Sequence, residues 1–268
     1  MNFDDYCSKH NLIDTNIIRD LKWLACDYLN CGLFELKDKI IDGVAEKFLD
    51  NGLKELKKQT PLAYVTKKAP FFGTNFFVDK NVLIPRMETE QLLELIIKEN
   101  KHRHNLKILD MCTGSGCIAI ILKKHLDCSL TAVDVSAQAL KIAQKNAKLH
   151  NAEICFIKSD MFDKIDDKYD IIVSNPPYIA TNEIETLDNA VKDYEPKKAL
   201  DGGKDGLDFY RVIADNAPNF LKTRGLLYLE IGHNQCKSIS KLLDKNFEDV
   251  LVIKDYDKHD RIVRCIRR

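Results

Sequence analysis

The sequence lacks net charge: lysine plus arginine number 41, and aspartate plus glutamate also number 41, over 268 residues. A chain that works along duplex nucleic acid usually shows a basic excess, so direct nucleic-acid binding is not expected. Metal-binding cysteine pairs are missing too. The 9 cysteines are an odd number with no Cys-x-x-Cys spacing, and nothing clusters as zinc ligands must. Cys26, Cys117 and Cys155 sit in apolar runs and read as reduced, buried thiols. No apolar run approaches the length that spans a bilayer. The start, Met1-Asn2-Phe3-Asp4-Asp5, is acidic and has no apolar signal core. A soluble, cytoplasmic protein with no membrane partner and no metal is expected. There is no internal repeat and no low-complexity segment. What is present is a hydrophobic content of 45%, ample for a core in one large domain or two ordinary ones.

The stretch with the clearest chemistry is Ser174-Asn175-Pro176-Pro177-Tyr178, which follows the apolar run Tyr169-Asp170-Ile171-Ile172-Val173. The run reads as a buried strand. Two prolines cannot continue it, because each lacks the N–H that a sheet ladder needs. The chain therefore leaves the sheet at Asn175, at the strand end where open α/β sheets bind ligands. The Asn175 side-chain oxygen and the Pro176 carbonyl accept hydrogen bonds without being basic. Tyr178 offers a flat face. The cluster suits an NH2 group on an sp2 carbon, a carboxamide or an exocyclic base amine, whose lone pair two acceptors could aim at an electrophile. The bland alternative is a proline-stiffened loop.

The chain in order divides into three regions. Residues 1–70 read as a helical bundle. Ile17, Ile18, Leu21, Leu24, Ala25, Tyr28 and Leu29 repeat at helix spacing behind the cap candidates Asp14 and Thr15. A second run from Leu36 to Leu49 should stop at the C-cap signal Asn51-Gly52, with a short helix over Leu53–Lys58 and a stop at Pro61. Trp23, the single tryptophan, is expected in the core. Residues 71–85 read as a β-hairpin linker around Gly73-Thr74-Asn75, with Val82-Leu83-Ile84 included. Residues 86–268 then alternate strand and helix. Strands are expected near 107–110, 129–133, 154–157, 169–173 and 226–231. Val250–Ile253 and Ile262–Ile266 should pair antiparallel, since no helix separates them. Glu88 and Glu90 are explained as first-turn acids of a helix. The fold class is α/β, a doubly wound sheet.

A second site lies in the loop Thr113-Gly114-Ser115-Gly116, between a strand and a helix. Glycine lets the backbone approach a ligand, and the helix start supplies free N–H groups. Asp134 ends the next strand, where a carboxylate commonly grips ribose hydroxyls. Locally the cofactor could be NAD or S-adenosylmethionine. Asp110, at the end of the first strand, would sit badly beside a pyrophosphate and well beside a sulfonium or its amino group. The Asn-Pro-Pro-Tyr cluster offers no hydride partner. Methyl transfer to nitrogen fits both sites.

Together, Asp110-Met111-Cys112-Thr113-Gly114-Ser115-Gly116 and Asn175-Pro176-Pro177-Tyr178 resemble the class I S-adenosylmethionine-dependent amino-methyltransferases. Residues 82–90, Tyr194-Glu195-Pro196, residues 199–207, Leu229-Glu230-Ile231-Gly232, Lys254-Asp255-Tyr256 and Asp260-Arg261 resemble more narrowly the peptide chain release factor glutamine methyltransferase family. The resemblance spans about residues 60–268. It implies a seven-stranded class I methyltransferase sheet behind a helical substrate-recognition domain. The implied activity is methylation of the N5 amide nitrogen of glutamine in the Gly-Gly-Gln motif of class 1 release factors. By position it implies that Cys112 to Gly116 line the cofactor loop, Asp134 binds the ribose and Met161 sits near the adenine. Asn175, Pro176, Pro177 and Tyr178 would hold the glutamine amide. Cys112 stands where the family usually has its first glycine, Met87 where proline is common, and Met161 where an aromatic is common. The alternatives are glutamine methylation of a large-subunit ribosomal protein, and methylation of adenine N6 or guanine N2 in nucleic acid.

Overall fold

A computed structural model describes residues 1–268. They form two compact units: Met1–Lys68 with Asp188–Tyr194, and Ala69–Leu187 with Glu195–Arg268.

The first unit is helical: α1 (Phe3–Lys9), α2 (Thr15–Leu29), α3 (Gly43–Lys57) and α4 (Leu62–Thr66). Each of the first three starts where a side chain satisfies the free N–H groups of a first turn. Asn2, Asp14 and Asp42 are those caps. Tyr6, Leu21, Leu24, Ala25, Leu49 and Leu53 form the core. Three expectations fail here. Asn51-Gly52 does not end a helix; α3 runs straight through it, and no separate helix covers Leu53–Lys58. Gly52 is there because a Cβ would overlap the buried Leu24 side chain. Pro61 begins α4 instead of closing the region. Trp23 is half exposed rather than core, because it lies beside the apolar stripe of α2 rather than on it.

The second unit opens with the hairpin β1 (Lys68–Phe71) and β2 (Thr74–Phe77). Val82–Ile84 is not strand. After α5 (Met87–Asn100) come β3 (Leu106–Met111), α6 (Cys117–His125), β4 (Cys128–Asp134), α7 (Ala137–Leu149), β5 (Cys155–Lys158) and β6 (Tyr169–Ser174). The one-turn α8 (Asn189–Lys192) belongs to the first unit. Then α9 (Asp208–Phe220), β7 (Leu221–Glu230), α10 (Cys236–Leu243), β8 (Phe247–Lys254) and β9 (Asp260–Arg267) complete the chain.

Seven strands form one sheet in the order β5-β4-β3-β6-β7-β9-β8. Neighbours from β5 to β7 are parallel, and β9 is antiparallel to both β7 and β8. Alternate residues of a strand face opposite sides, so the sheet divides two cores. Ile108, Ile171 and Val173 pack with α5 and α6. Leu109, Ile172 and Leu227 pack with Tyr210 and Ile213 of α9 and Ile239 of α10. Each such fully buried side chain contributes about 1.5–3 kcal/mol relative to exposure. The strand order reverses between β3 and β6, and the crevice of such a sheet opens at that switch point.

The hairpin is tied into this unit by two polar side chains. Glu90 accepts the Phe72 N–H at 2.8 Å, a use that first-turn capping did not anticipate. Asn146 of α7, fully buried, accepts the Phe77 N–H at 2.7 Å and donates to the Phe77 and Ser115 carbonyls. One amide therefore joins the hairpin to the glycine loop after β3.

Candidate active site

At the switch point two loops leave neighbouring parallel strands together. Met111 lies opposite Ser174, and the Ser174 hydroxyl donates to the Met111 carbonyl at 2.7 Å. Cys112 and Asn175 thus emerge side by side. Beside them opens a cavity of about 280 Å³, close to the lower end of ordinary small-molecule sites.

The loop 112–116 is held open by a ladder of hydrogen bonds. Thr113 N donates to the Val133 carbonyl and Gly116 N to the Thr113 carbonyl, both at 2.9 Å. Asp134 accepts the Gly114 N–H at 2.9 Å on one oxygen and the Ser136 N–H at 2.8 Å on the other. Burial pushes its carboxyl above the usual range, and those N–H groups oppose the shift. Cys112 has φ +64°, a left-handed conformation that favours glycine. Its Sγ lies 3.8 Å from the Met161 sulfur.

Of the residues singled out by sequence, Cys112, Thr113, Gly114, Ser115, Asp134, Met161, Asn175 and Pro177 line the cavity. Asp110, Gly116, Pro176 and Tyr178 are not among its walls. Asp110 lies fully buried and accepts the Thr113 hydroxyl at 2.5 Å; its other oxygen has no well-formed hydrogen bond. Burial pushes its carboxyl up to about 7 against the Thr113 hydroxyl and the Ala119 N–H. It therefore acts on the loop rather than at the cavity wall. Gly116 starts α6 at φ +81°, where a Cβ would come within 3.0 Å of the Ala143 Cβ, so it sets how closely α6 and α7 pack. Tyr178 is partly buried, and burial followed by the charge of Glu230 pushes its phenol up to about 12.

The Asn-Pro-Pro-Tyr loop is clamped from behind. Gln235 donates to the Tyr178 carbonyl at 2.9 Å and the Gly206 carbonyl at 3.2 Å, and accepts the Gly232 N–H. Ile179 N donates to the Leu200 carbonyl, and Gly202 N to the Ile179 carbonyl. A Cβ on Gly202 would sit 2.8 Å from both the Pro177 carbonyl oxygen and the Tyr178 Cα. A Cβ on Gly206 would likewise overlap the Tyr178 carbonyl oxygen, so Gly202 and Gly206 together let a second segment lie directly against this loop.

Other functional residues were missed by sequence reasoning. Val82, Leu83, Arg86 and Thr89 form one wall, and Pro196 to Ala199 another. Arg86 joins the two walls by donating to the buried Glu195 at 2.5 Å, and the other Glu195 oxygen accepts the Ile84 N–H. Burial pushes the Glu195 carboxyl up, and Arg86 opposes it. Behind Asn175 stands a buried polar chain. The Asn175 Nδ2 donates to Thr89 Oγ1 at 3.2 Å, and that hydroxyl donates to Glu230 Oε2 at 2.6 Å. Arg86, Thr89, Glu195 and Glu230 all lie in stretches that carry the family resemblance, but the residues themselves pointed to no role. The local signal was a polar residue in an otherwise apolar stretch, Thr89 inside an amphipathic helix and Glu230 at the end of Leu226-Leu227-Tyr228-Leu229.

Comparison with known proteins agrees with this layout. The family described as "Methyltransferase small domain" matches residues 87–193. A methyltransferase from Pyrococcus furiosus shares the fold, with a TM-score of 0.56 over 81% of this chain and 98% of its own, at 18% identity. A release factor glutamine methyltransferase of Streptococcus pneumoniae is 42% identical over 234 residues, 86% of this chain and 84% of the relative. Its counterpart in Thermodesulfovibrio yellowstonii is 40% identical over 254 residues, 92% of this chain and 91% of that one. At that identity and coverage, the chain belongs to the release factor glutamine methyltransferase family.

Proposed function

We propose that this protein transfers a methyl group from S-adenosylmethionine to the side-chain amide nitrogen of glutamine in the Gly-Gly-Gln motif of class 1 peptide chain release factors. The observation that carries this reading is the Asn175 amide. Its nitrogen end is held by Thr89, which leaves its oxygen for a ligand in a cavity shared with the loop 112–116 and Asp134.

The residues present fit the cofactor. Nothing lies within 4 Å of where a Gly114 Cβ would be, so a ligand can lie against that backbone. Each Asp134 oxygen takes one N–H and keeps a lone pair for a ribose hydroxyl. Met161 and Val135 supply apolar cover for the adenine. S-adenosylmethionine, when bound, would supply an electrophilic methyl carbon for the amide nitrogen's lone pair, the electrons of the broken carbon–sulfur bond leaving with sulfur and one amide proton passing to water.

The chain's own part is orientation. Asn175 Oδ1 and the Pro176 carbonyl each accept one N–H of the substrate amide, and Pro177 and Tyr178 hold its plane. A delocalised lone pair is thereby pointed along one direction. No strong base is required, because an alkylated amide nitrogen is acidic. The helical unit, Met1–Lys68 with Asp188–Tyr194, serves substrate recognition, and the unit that opens with the hairpin carries out the transfer. Because its substrates work in translation, the protein acts in the cytoplasm. No helix is long and apolar enough to cross a membrane.

Intact mass spectrometry of a purified class 1 release factor, incubated with the protein and S-adenosylmethionine, tests the proposal. One added methyl on the Gly-Gly-Gln peptide is expected. An unmodified release factor, with methyl appearing on a ribosomal protein or on RNA, would replace it.

A further inference from the structure

We propose that Thr89 and Glu230 are positioning residues that decide which end of the Asn175 side-chain amide faces the substrate. The proposal rests on the methyl-transfer reading above.

An asparagine amide has two ends of nearly equal shape and opposite polarity. Only the oxygen end can accept an N–H from the substrate; an NH2 end would set donors against donors. The choice is made behind the site. Thr89, in the first turn of α5, and Glu230, at the end of β7, are both buried, at 2% and 1% exposure. A threonine hydroxyl has one proton, and Thr89 gives it to Glu230 at 2.6 Å. Toward Asn175 it can then only accept, and the Asn175 Nδ2 lies 3.2 Å away. The same amide also donates toward the Glu230 carboxylate. Turning the amide over would place its oxygen against two oxygens with no proton between them. Deep burial makes such an unmatched contact costly.

The chain keeps its direction only while Glu230 is ionised. A protonated Glu230 could donate to Thr89, free the Thr89 proton for Asn175 Oδ1, and stabilise the reversed amide. Burial pushes the Glu230 carboxyl up to about 7, with Glu88 adding to the shift and Thr89, Arg261 and Asn175 opposing it. The charged and titratable groups facing it are Arg261 on β9, Glu88 on α5, Tyr178 after β6, Tyr210 on α9 and Cys117 on α6. Burial raises both phenols and the thiol, so they stay protonated near neutrality. The sign follows directly: turnover is full above the Glu230 pKa and falls as pH drops through it.

The test is the pH profile of kcat for release factor methylation by the full-length protein at saturating cofactor. The wild type should lose activity on the acid side of about pH 7. Thr89→Val should lower kcat by roughly 10- to 100-fold, with the affinity for S-adenosylhomocysteine within about threefold of wild type. Thr89→Ser keeps the hydroxyl and should recover most of the loss. Glu230→Gln keeps a carbonyl acceptor but cannot titrate, so its acid limb should vanish. Wild-type kcat in Thr89→Val, or an unchanged acid limb in Glu230→Gln, would overturn the proposal. Asn175→Ala separates it from the underlying reading. If Asn175→Ala turns over normally, the reading itself fails; if it loses turnover while Thr89→Val does not, only the positioning role fails.

Discussion

Asp134→Asn is the substitution whose consequence can be worked most directly from the structure. The two side chains have the same shape, so packing is preserved and only hydrogen-bonding capacity changes. Asp134 uses one oxygen for the Gly114 N–H and the other for the Ser136 N–H. Asparagine offers one oxygen, so one of these N–H groups must face an NH2. An unmatched buried donor costs about 1–3 kcal/mol. Part of that cost appears as lower stability of the free protein. The rest appears on binding, because the loop must be held in place and the ribose loses a charged acceptor. At about 1.4 kcal/mol per factor of ten, the dissociation constant should rise roughly 10- to 100-fold. Calorimetric titration with S-adenosylhomocysteine, the stable product, measures this without turnover. At saturating cofactor, kcat should stay near the wild-type value, since the Asn175–Thr89–Glu230 chain is untouched. A dissociation constant within about twofold of wild type, or normal binding with lost kcat, would remove Asp134 from the cofactor wall.

Gly202→Ala should lower kcat by about tenfold or more with the fold intact, because its Cβ would collide with backbone of the Asn-Pro-Pro-Tyr loop; initial rates beside a thermal unfolding curve check this. Arg86→Ala strands the buried Glu195 with only the Ile84 N–H for company, and should cost about 2 kcal/mol, below the range for fully buried pairs because Arg86 is partly exposed. The folded-state pKa of Glu195 is already raised, and removing the cation raises it further. The folded protein then holds a proton that the unfolded chain releases, so the deficit should grow as pH rises through the acid range in urea unfolding series; a deficit that shrinks with rising pH would contradict the assignment. Cys112→Val should destabilise by about 2 kcal/mol, since a β-branched side chain suits φ +64° poorly. Cys112→Gly relieves the backbone but loses the contact with Met161, and should stay within about 1 kcal/mol of wild type.

Much of the molecule could be read from short-range pattern. The strands ending at Met111, Asp134 and Ser174 were legible because a buried parallel strand is a continuous apolar run between breakers. The helix Thr15–Leu29 was legible because its apolar residues recur at helical spacing behind the cap Asp14. Asn175 stood out because prolines at 176 and 177 cannot stay in a ladder, whatever the rest of the chain does. The glycine loop and Asp134 followed from strand ends alone. These inferences need only backbone sterics and a window of about ten to fifteen residues.

What failed needed distant partners. Gly52 looks like a helix stop until Leu24 of another helix is seen against it. Trp23 looks like core until the orientation of α2 is known. Thr89 and Glu230, separated by 141 positions, meet beside Asn175 only because β6 and β7 are neighbours and α5 packs across them. Arg86 finds Glu195 across 109 positions in the same way. The sequence by itself determined the chemistry available at each strand end, because sterics and hydrogen-bonding capacity are local properties. Only the tertiary structure decided which of those groups would be buried together, and so which end of Asn175 is left for the substrate, because burial and proton direction depend on what the rest of the chain brings alongside.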